Sequence, residues 1–92
     1  MKSVQKQLLQ AILTSLSDLP VVALNSHLIE KIEECESVLA NYDFKASQRL
    51  DAFRIYLGGI KLSLSGDPAA SLPDAALRGL QSKLSEFIKT TL

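Results

Sequence analysis

Apolar residues recur at helical spacing in four separate stretches of the chain. The first stretch runs from Ser3 to Ser17, and the segment Asp18-Leu19-Pro20 ends it because the residue before a proline is pushed out of the helical region. The second begins near Asn25 and Ser26, residue types that commonly cap a helix. Each stretch has one apolar side, which predicts two amphipathic helices. The two sides consist of Val4, Leu8, Leu9, Ile12, Leu13 and Leu16, and of Leu28, Ile29, Ile32, Cys35, Val38 and Leu39.

The third and fourth stretches have clearer ends. The third, from about Phe44 to Leu64, has apolar steps of 3, 4, 3 and 4 residues, which are typical of a helix packed in a bundle. Gly66 is expected to end it in the left-handed conformation. The fourth opens at Ser71, and the acid Asp74 three residues later resembles a capping box. The apolar positions are Leu50, Phe53, Leu57, Ile60 and Leu64, and Leu77, Leu80, Leu84, Phe87 and Ile88.

These four helices predict one all-α domain over residues 1–92, an antiparallel up-down four-helix bundle. Because each helix has a single apolar stripe, we expect a monomer. The pair Gly58-Gly59 lies inside the third helix, where each glycine costs about 1 kcal/mol. Close packing of another helix at this point is the favoured explanation, and a break in the helix is the alternative.

The composition excludes several classes of function. Ten basic residues balance ten acidic ones, which argues against a nucleic-acid-binding protein. One cysteine and one histidine cannot fill a tetrahedral zinc site, so we expect no metal and no cofactor. Cys35 and His27 are separated by about 12 Å along one predicted helix, too far for proton transfer. The chain also lacks a glycine-rich phosphate loop and the HExxH and GxSxG motifs, so we do not expect an enzyme.

The sequence predicts a cytoplasmic location. A transmembrane helix needs about 20 nearly continuous apolar residues, and no such run is present. Lys2 and Lys6 before the apolar residues 8–16 resemble a signal peptide only weakly, because polar residues interrupt the run. The single Cys35 is also typical of a reducing compartment.

Charged residues form one acidic and one basic set. The acids lie on the second helix, and we interpret them as a solvated face rather than a metal site. For the basic set on the third helix, two interpretations stay open: ion pairs with the acidic helix, or contact with a partner or an anionic membrane surface. The acidic set is Glu30, Glu33, Glu34 and Glu36, and the basic set is Lys45, Arg49, Arg54 and Lys61.

The layout resembles a known family. The runs LIEKIEECESVLANYDF, SQRLDAFRIYLGGIKLSL and LRGLQSKLSEFI, all between Leu24 and Ile88, are similar in pattern and spacing to the immunity proteins for class II (pediocin-like) bacteriocins. The resemblance implies a cytosolic four-helix bundle that protects the producing bacterium from its own pore-forming peptide. It implies recognition of that peptide docked on a membrane sugar-transport permease, without catalysis and with peripheral membrane contact as a further option.

In that family the C-terminal part carries specificity. On this chain, the resemblance therefore points to Lys83, Phe87, Lys89 and Leu92 as partner-binding residues. With the core side of the last helix occupied by leucines and Ile88, we expect Lys83, Lys89 and residues 91–92 to project outward and Phe87 to lie at the boundary. The basic face of the third helix around Arg49 and Arg54 is the other candidate surface.

Two other hypotheses stay open. The chain length, neutral charge and paired amphipathic helices also suit a small helical chaperone or adaptor of a secretion system, which would hold an exported helical subunit in a groove. A structural homodimer without another partner is the third reading. A neighbouring short gene with a double-glycine leader and a YGNG-like motif would favour immunity, whereas neighbouring secretion genes would favour the chaperone.

Treatment with a chelator tests the expectation that the chain has no metal site. Treatment with EDTA is expected to leave the melting temperature unchanged, because metal binding would contribute directly to folding if a site existed. The measurement is thermal unfolding followed by circular dichroism, with and without the chelator. A large drop would instead indicate a metal site among the glutamates.

Overall fold

Four helices make up most of the chain in the computed structural model, which describes residues 4–20 and 22–91. They are α1 (Val4–Leu16), α2 (Asn25–Asn41), α3 (Gln48–Ser65) and α4 (Asp74–Thr91). Helices α1 and α3 each pack against both α2 and α4. The predicted all-α antiparallel up-down four-helix bundle is confirmed.

The connections show how the helices alternate in direction. Leu24 and Ser71 form a short antiparallel bridge, so the α1–α2 and α3–α4 connections meet at one end of the bundle. At the other end, Gln5 Nε2 donates a hydrogen bond to the backbone oxygen of Asp43, 3.1 Å away. The start of α1 therefore lies beside the α2–α3 connection. None of the helices within the described ranges is both long and apolar enough to cross a bilayer.

One apolar core joins the four helices. All the predicted core positions of α4 are buried or packed against buried residues. The same holds for the predicted apolar positions of α3, which we call its seam: Leu50, Phe53, Leu57, Ile60 and Leu64. Cys35 is fully buried in this core. Burial, with a smaller effect from Glu34 and Glu36, raises the pKa of its thiol to about 12. The thiol is therefore a small, inert core group. The fully buried large side chains are Leu9, Leu16, Leu28, Ile32, Leu57, Leu80 and Leu84.

Helix α3 begins later than its apolar pattern predicts. Ser47 caps it, since its Oγ accepts a hydrogen bond from the Leu50 N–H at 3.1 Å. The preceding residues 43–47 have no helical structure. The ring of Phe44 packs instead against Phe87 of α4, with 6.1 Å between the ring centroids. Phe44 belongs to the core without belonging to the helix.

Helix α2 is not capped by Asn25 or Ser26. Leu24 is the capping residue and Asn25 is the first helical residue. The Asn25 N–H donates to Ala70 O and the Ser26 N–H donates to Pro68 O, both at 2.9 Å. These N–H groups have no partner within the helix, so the α3–α4 connection satisfies them in place of a side-chain cap.

Two predicted features of the α3–α4 connection were wrong. Gly66 has φ −64° and ψ −28°, which is right-handed helical backbone and not the left-handed cap. Ser71 pairs with Leu24 and does not cap α4, which begins at Asp74. In that first turn, Asp74 Oδ2 lies 2.7 Å from Arg78 Nε, an exposed i,i+4 ion pair.

No group of the bundle packs closely enough against Gly58 or Gly59 to require a glycine there. The helix runs through Gly58 and Gly59 without interruption. A Cβ added to either residue would meet no atom within 4 Å. The expected close packing was therefore wrong, and the helix does not break there either. Alanine at these sites would be expected to stabilise the fold by about 0.5–1 kcal/mol each.

The seam of α3 can be tested by a pair of leucines. Leu57 is fully buried, and Leu57→Ala is expected to lower the free energy of unfolding by about 2–5 kcal/mol through lost burial and a cavity. Leu62 on the same helix is 78% exposed, so Leu62→Ala is expected to change it by less than about 0.5 kcal/mol. Urea denaturation measures both. Equal midpoints for the two variants would mean that the seam is misplaced.

Candidate functional site

Helices α3 and α4 leave an open cleft of about 110 Å³ between them. Three of the predicted partner-binding residues, Arg49, Lys83 and Phe87, lie together along it. We call this cleft the α3–α4 groove. Its lining is Arg49, Ala52, Phe53 and Tyr56 from α3, and Lys83, Glu86, Phe87 and Thr90 from α4.

Stacked aromatic rings form the floor of the groove. Phe53 and Phe87 stack with 4.6 Å between their centroids and 12° between their planes. Phe44 approaches Phe87 from the α2–α3 connection. Phe87 is only 3% exposed, so its expected place at the boundary was wrong. It is a core residue because two other aromatic rings cover it.

Tyr56 forms the next part of the wall and depends on a glycine. A Cβ added at Gly79 would lie 2.9 Å from the Tyr56 hydroxyl, closer than side chains tolerate. Gly79 therefore allows the tyrosine to lie against α4. The Lys83 Nζ is 5.9 Å from the centroid of the Tyr56 ring, within the range of a cation–π contact. Burial raises the pKa of Tyr56, so its hydroxyl is a neutral hydrogen-bonding group at physiological pH.

The remaining predicted residues of α4 lie elsewhere. Lys89 is exposed, as expected, but it borders a different shallow cleft together with Ser82 and Ser85. Thr91 was expected to project outward and is half-buried. Leu92 lies outside the described residues. The C-terminal part of the chain therefore presents more than one surface, and only Lys83 and Phe87 share one with Arg49.

The basic residues of α3 are divided between two sides of the helix. Lys61 pairs with Glu36 at 2.9 Å and with Glu33 at 3.5 Å on α2. The hydrogen bond to Glu36 is the main cause that raises the pKa of Lys61. Arg54 also faces α2, where its Nη2 donates to the backbone oxygen of Leu39 at 3.1 Å. The hypothesis of pairing with the acidic helix is confirmed for Lys61.

Arg49 lies on the opposite side, towards α4. Besides lining the α3–α4 groove, it borders a wider polar cleft at the end of the two helices, together with Lys45 and Thr90. Cations therefore concentrate where the groove opens, and Glu86 is the acidic residue of its lining. This end of the groove is suited to anionic or hydrogen-bond-accepting groups.

The acidic face of α2 is tied to nearby lysines. Glu33 and Glu36 contact Lys61, and Glu34 lies 3.3 Å from Lys31. Within residues 4–20 and 22–91, no group of three or more histidine, cysteine, aspartate or glutamate side chains is placed to hold a metal ion. The ion pairs of these glutamates with Lys31 and Lys61 are surface pairs, and each contributes about 0–1 kcal/mol to stability.

Sequence reasoning did not single out Tyr56 or Gly79 as site residues. Gly79 carried a usable signal, since a glycine in the middle of an amphipathic helix indicates close approach by another group. Tyr56 gave none, because its position relative to α4 depends on the packing of the two helices. Ala52 and Thr90, which complete the wall, are equally ordinary in the sequence.

The groove combines an apolar floor with charged groups at its rim. Sites of this kind bind an apolar side chain while a few polar groups fix its orientation. The planar guanidinium group of Arg49 can donate two hydrogen bonds to one carboxylate. The arrangement therefore suits a segment of a partner protein with an apolar residue next to an anionic group.

Comparisons with known proteins add no further constraint. No family model, curated protein or solved structure matches the chain. The chemistry of the groove itself is therefore the evidence for what it binds.

Substitution of glycines by alanine tests the Tyr56–Gly79 contact. Gly59→Ala is expected to raise the free energy of unfolding by about 0.5–1 kcal/mol. Gly79→Ala is expected to give no such gain, because its Cβ would displace the Tyr56 hydroxyl. In a Tyr56→Phe background, Gly79→Ala should recover most of the gain. Urea denaturation in dilute solution measures all four variants, and an equal gain at both glycines would contradict the contact.

Proposed function

We propose that this chain is an immunity protein of the class II (pediocin-like) bacteriocin type, which protects the producing cell by binding in the cytoplasm without catalysis. The observation that supports the proposal is the α3–α4 groove, which combines Phe87 with the cations Arg49 and Lys83. Lys83 and Phe87 belong to the part of the chain to which the family resemblance assigns specificity. The proposed partner is the bacteriocin docked on a membrane sugar-transport permease.

The construction of the groove favours recognition of a protein segment. Its floor is part of the core, so the groove is already ordered and its side chains lose little entropy when a partner binds. Arg49 and Lys83 are exposed, and no carboxylate within residues 4–20 and 22–91 pairs with either of them. They can therefore supply charge and hydrogen bonds to a partner without breaking an internal ion pair.

A second candidate function rests on a different surface. Ile55 and Leu62 of α3 are 75% and 78% exposed, which is unusual for two large apolar residues of one helix. A chaperone or adaptor of a secretion system would use such a face to hold an exported helical segment. This hypothesis does not use the α3–α4 groove, so variants of the groove separate it from the immunity function.

Expression of the chain in a bacteriocin-sensitive strain tests the proposal. The wild-type chain is expected to increase survival against the bacteriocin encoded by a neighbouring gene. The double variant Arg49→Glu with Lys83→Glu should reduce that protection, since reversing two rim charges is expected to weaken binding by about tenfold or more. Arg78→Glu is the matched control, because Arg78 is an exposed cation of the same helix that lies outside the groove. Lys89→Glu tests the other exposed lysine of α4 to which the resemblance points.

Circular dichroism establishes that the variants fold, and exposed charge changes usually alter stability by less than about 0.5 kcal/mol. Absence of protection by the wild-type chain would contradict the immunity function. Full protection by the folded double variant would keep that function and exclude the groove as its recognition surface. Loss of protection in the Lys89 variant alone would move the surface to the neighbouring cleft that Lys89 borders with Ser82 and Ser85.

A further inference from the structure

The side of α3 that faces away from the core carries a second set of apolar residues. Ile55 and Leu62 are largely exposed, and their separation of seven residues places them on the same face of the helix. Gly58 and Gly59 lie between them, with open space where their side chains would be. We call these four residues the outer face of α3. The expectation of a monomer assumed one apolar stripe per helix, and α3 does not meet that condition.

The outer face has a symmetric arrangement along the helix. Ile55 precedes Gly58 by three residues, and Leu62 follows Gly59 by three. A two-fold axis that passes beside the Gly58–Gly59 peptide bond would therefore place Ile55 of one copy against Leu62 of another. The same operation places glycine against glycine, where the absent side chains permit close approach of two helix backbones. A two-fold dimer requires this kind of self-complementary surface.

The charged residues beside the outer face are complementary under the same operation. Arg54 lies next to Ile55 and donates a hydrogen bond to the backbone oxygen of Leu39 on α2. Near the Leu62 end, Lys61 contacts Glu33 and Glu36, so that end carries an excess of acid. In an antiparallel pair, Arg54 of each copy therefore approaches the Leu62 end of the other copy, where Glu33 lies. Asp51 lies one turn beyond Ile55, where two crossing helices already diverge.

We infer that the outer face of α3 is the docking surface for a second copy of this chain, in an antiparallel pair of α3 helices centred on Gly58 and Gly59. The contact is small. Helix α3 is about 27 Å long at 1.5 Å per residue, and a standard interface buries about 800 Å² on each partner. We therefore expect a weak dimer. This inference does not rest on the proposed function, which uses the α3–α4 groove.

Sedimentation equilibrium of the full chain tests the dimer over concentrations from about 10 μM to about 1 mM, the range in which weak dimers dissociate. The average mass should rise from the 10.0 kDa of one chain towards twice that value. Ile55→Glu should weaken association by about tenfold or more, because it buries an unpaired carboxylate against Leu62 of the other copy. Val22→Glu is the matched control, since Val22 is 80% exposed in the α1–α2 connection and should leave association unchanged.

A charge exchange separates the proposed orientation from other dimers. Arg54→Glu should weaken association, and Glu33→Arg added to it should restore most of the loss. Circular dichroism confirms that each variant is folded. A constant mass of one chain over the whole concentration range would overturn the inference and leave the face to a different partner. A dimer that is unaffected by Ile55→Glu, or not restored by the charge exchange, would also overturn it.

Discussion

The stack of Phe53 on Phe87 is the contact on which the geometry of the α3–α4 side depends. The two rings lie 4.6 Å apart and nearly parallel, which sets the spacing of the helices and closes the floor of the groove. Phe44 covers Phe87 from the α2–α3 connection and joins that connection to the same cluster. With the floor fixed, Tyr56 reaches Gly79 and Lys83 reaches the Tyr56 ring. The proposed recognition surface is thus an extension of the core.

Helix α3 uses three of its sides for different purposes. Its seam, which includes the fully buried Leu57, packs in the core. The side that carries Arg49 lines the groove towards α4, and the side that carries Lys61 pairs with the acids of α2. The outer face is left for contact outside the bundle. Because the groove and the outer face lie on different sides of one helix, a partner in the groove and a second copy on the outer face need not compete.

The sequence predicted those features that depend on residues close together along the chain. Helical periodicity reports which side of a helix is buried, so the four helices, their seams and the bundle followed from it. The family resemblance pointed to Lys83 and Phe87, and the basic face of α3 pointed to Arg49, but neither predicted that these residues share a groove. The errors involve distant partners. Asn25 is the first residue of α2 and not its cap, and its N–H donates to the distant Ala70. Phe87 is buried because Phe53 and Phe44 cover it. Tyr56 enters the site only through the glycine of another helix.

A double-mutant cycle between Phe53 and Phe87 measures how strongly the two rings hold α3 against α4. The free energy of unfolding is measured for the wild type, Phe53→Leu, Phe87→Leu and the double variant. We predict a coupling energy of about 0.5–1.5 kcal/mol between the two rings, beyond what each loses in buried area. The second substitution should therefore cost less once the first ring is gone. Strictly additive losses would mean that the stacked rings do not hold α3 against α4.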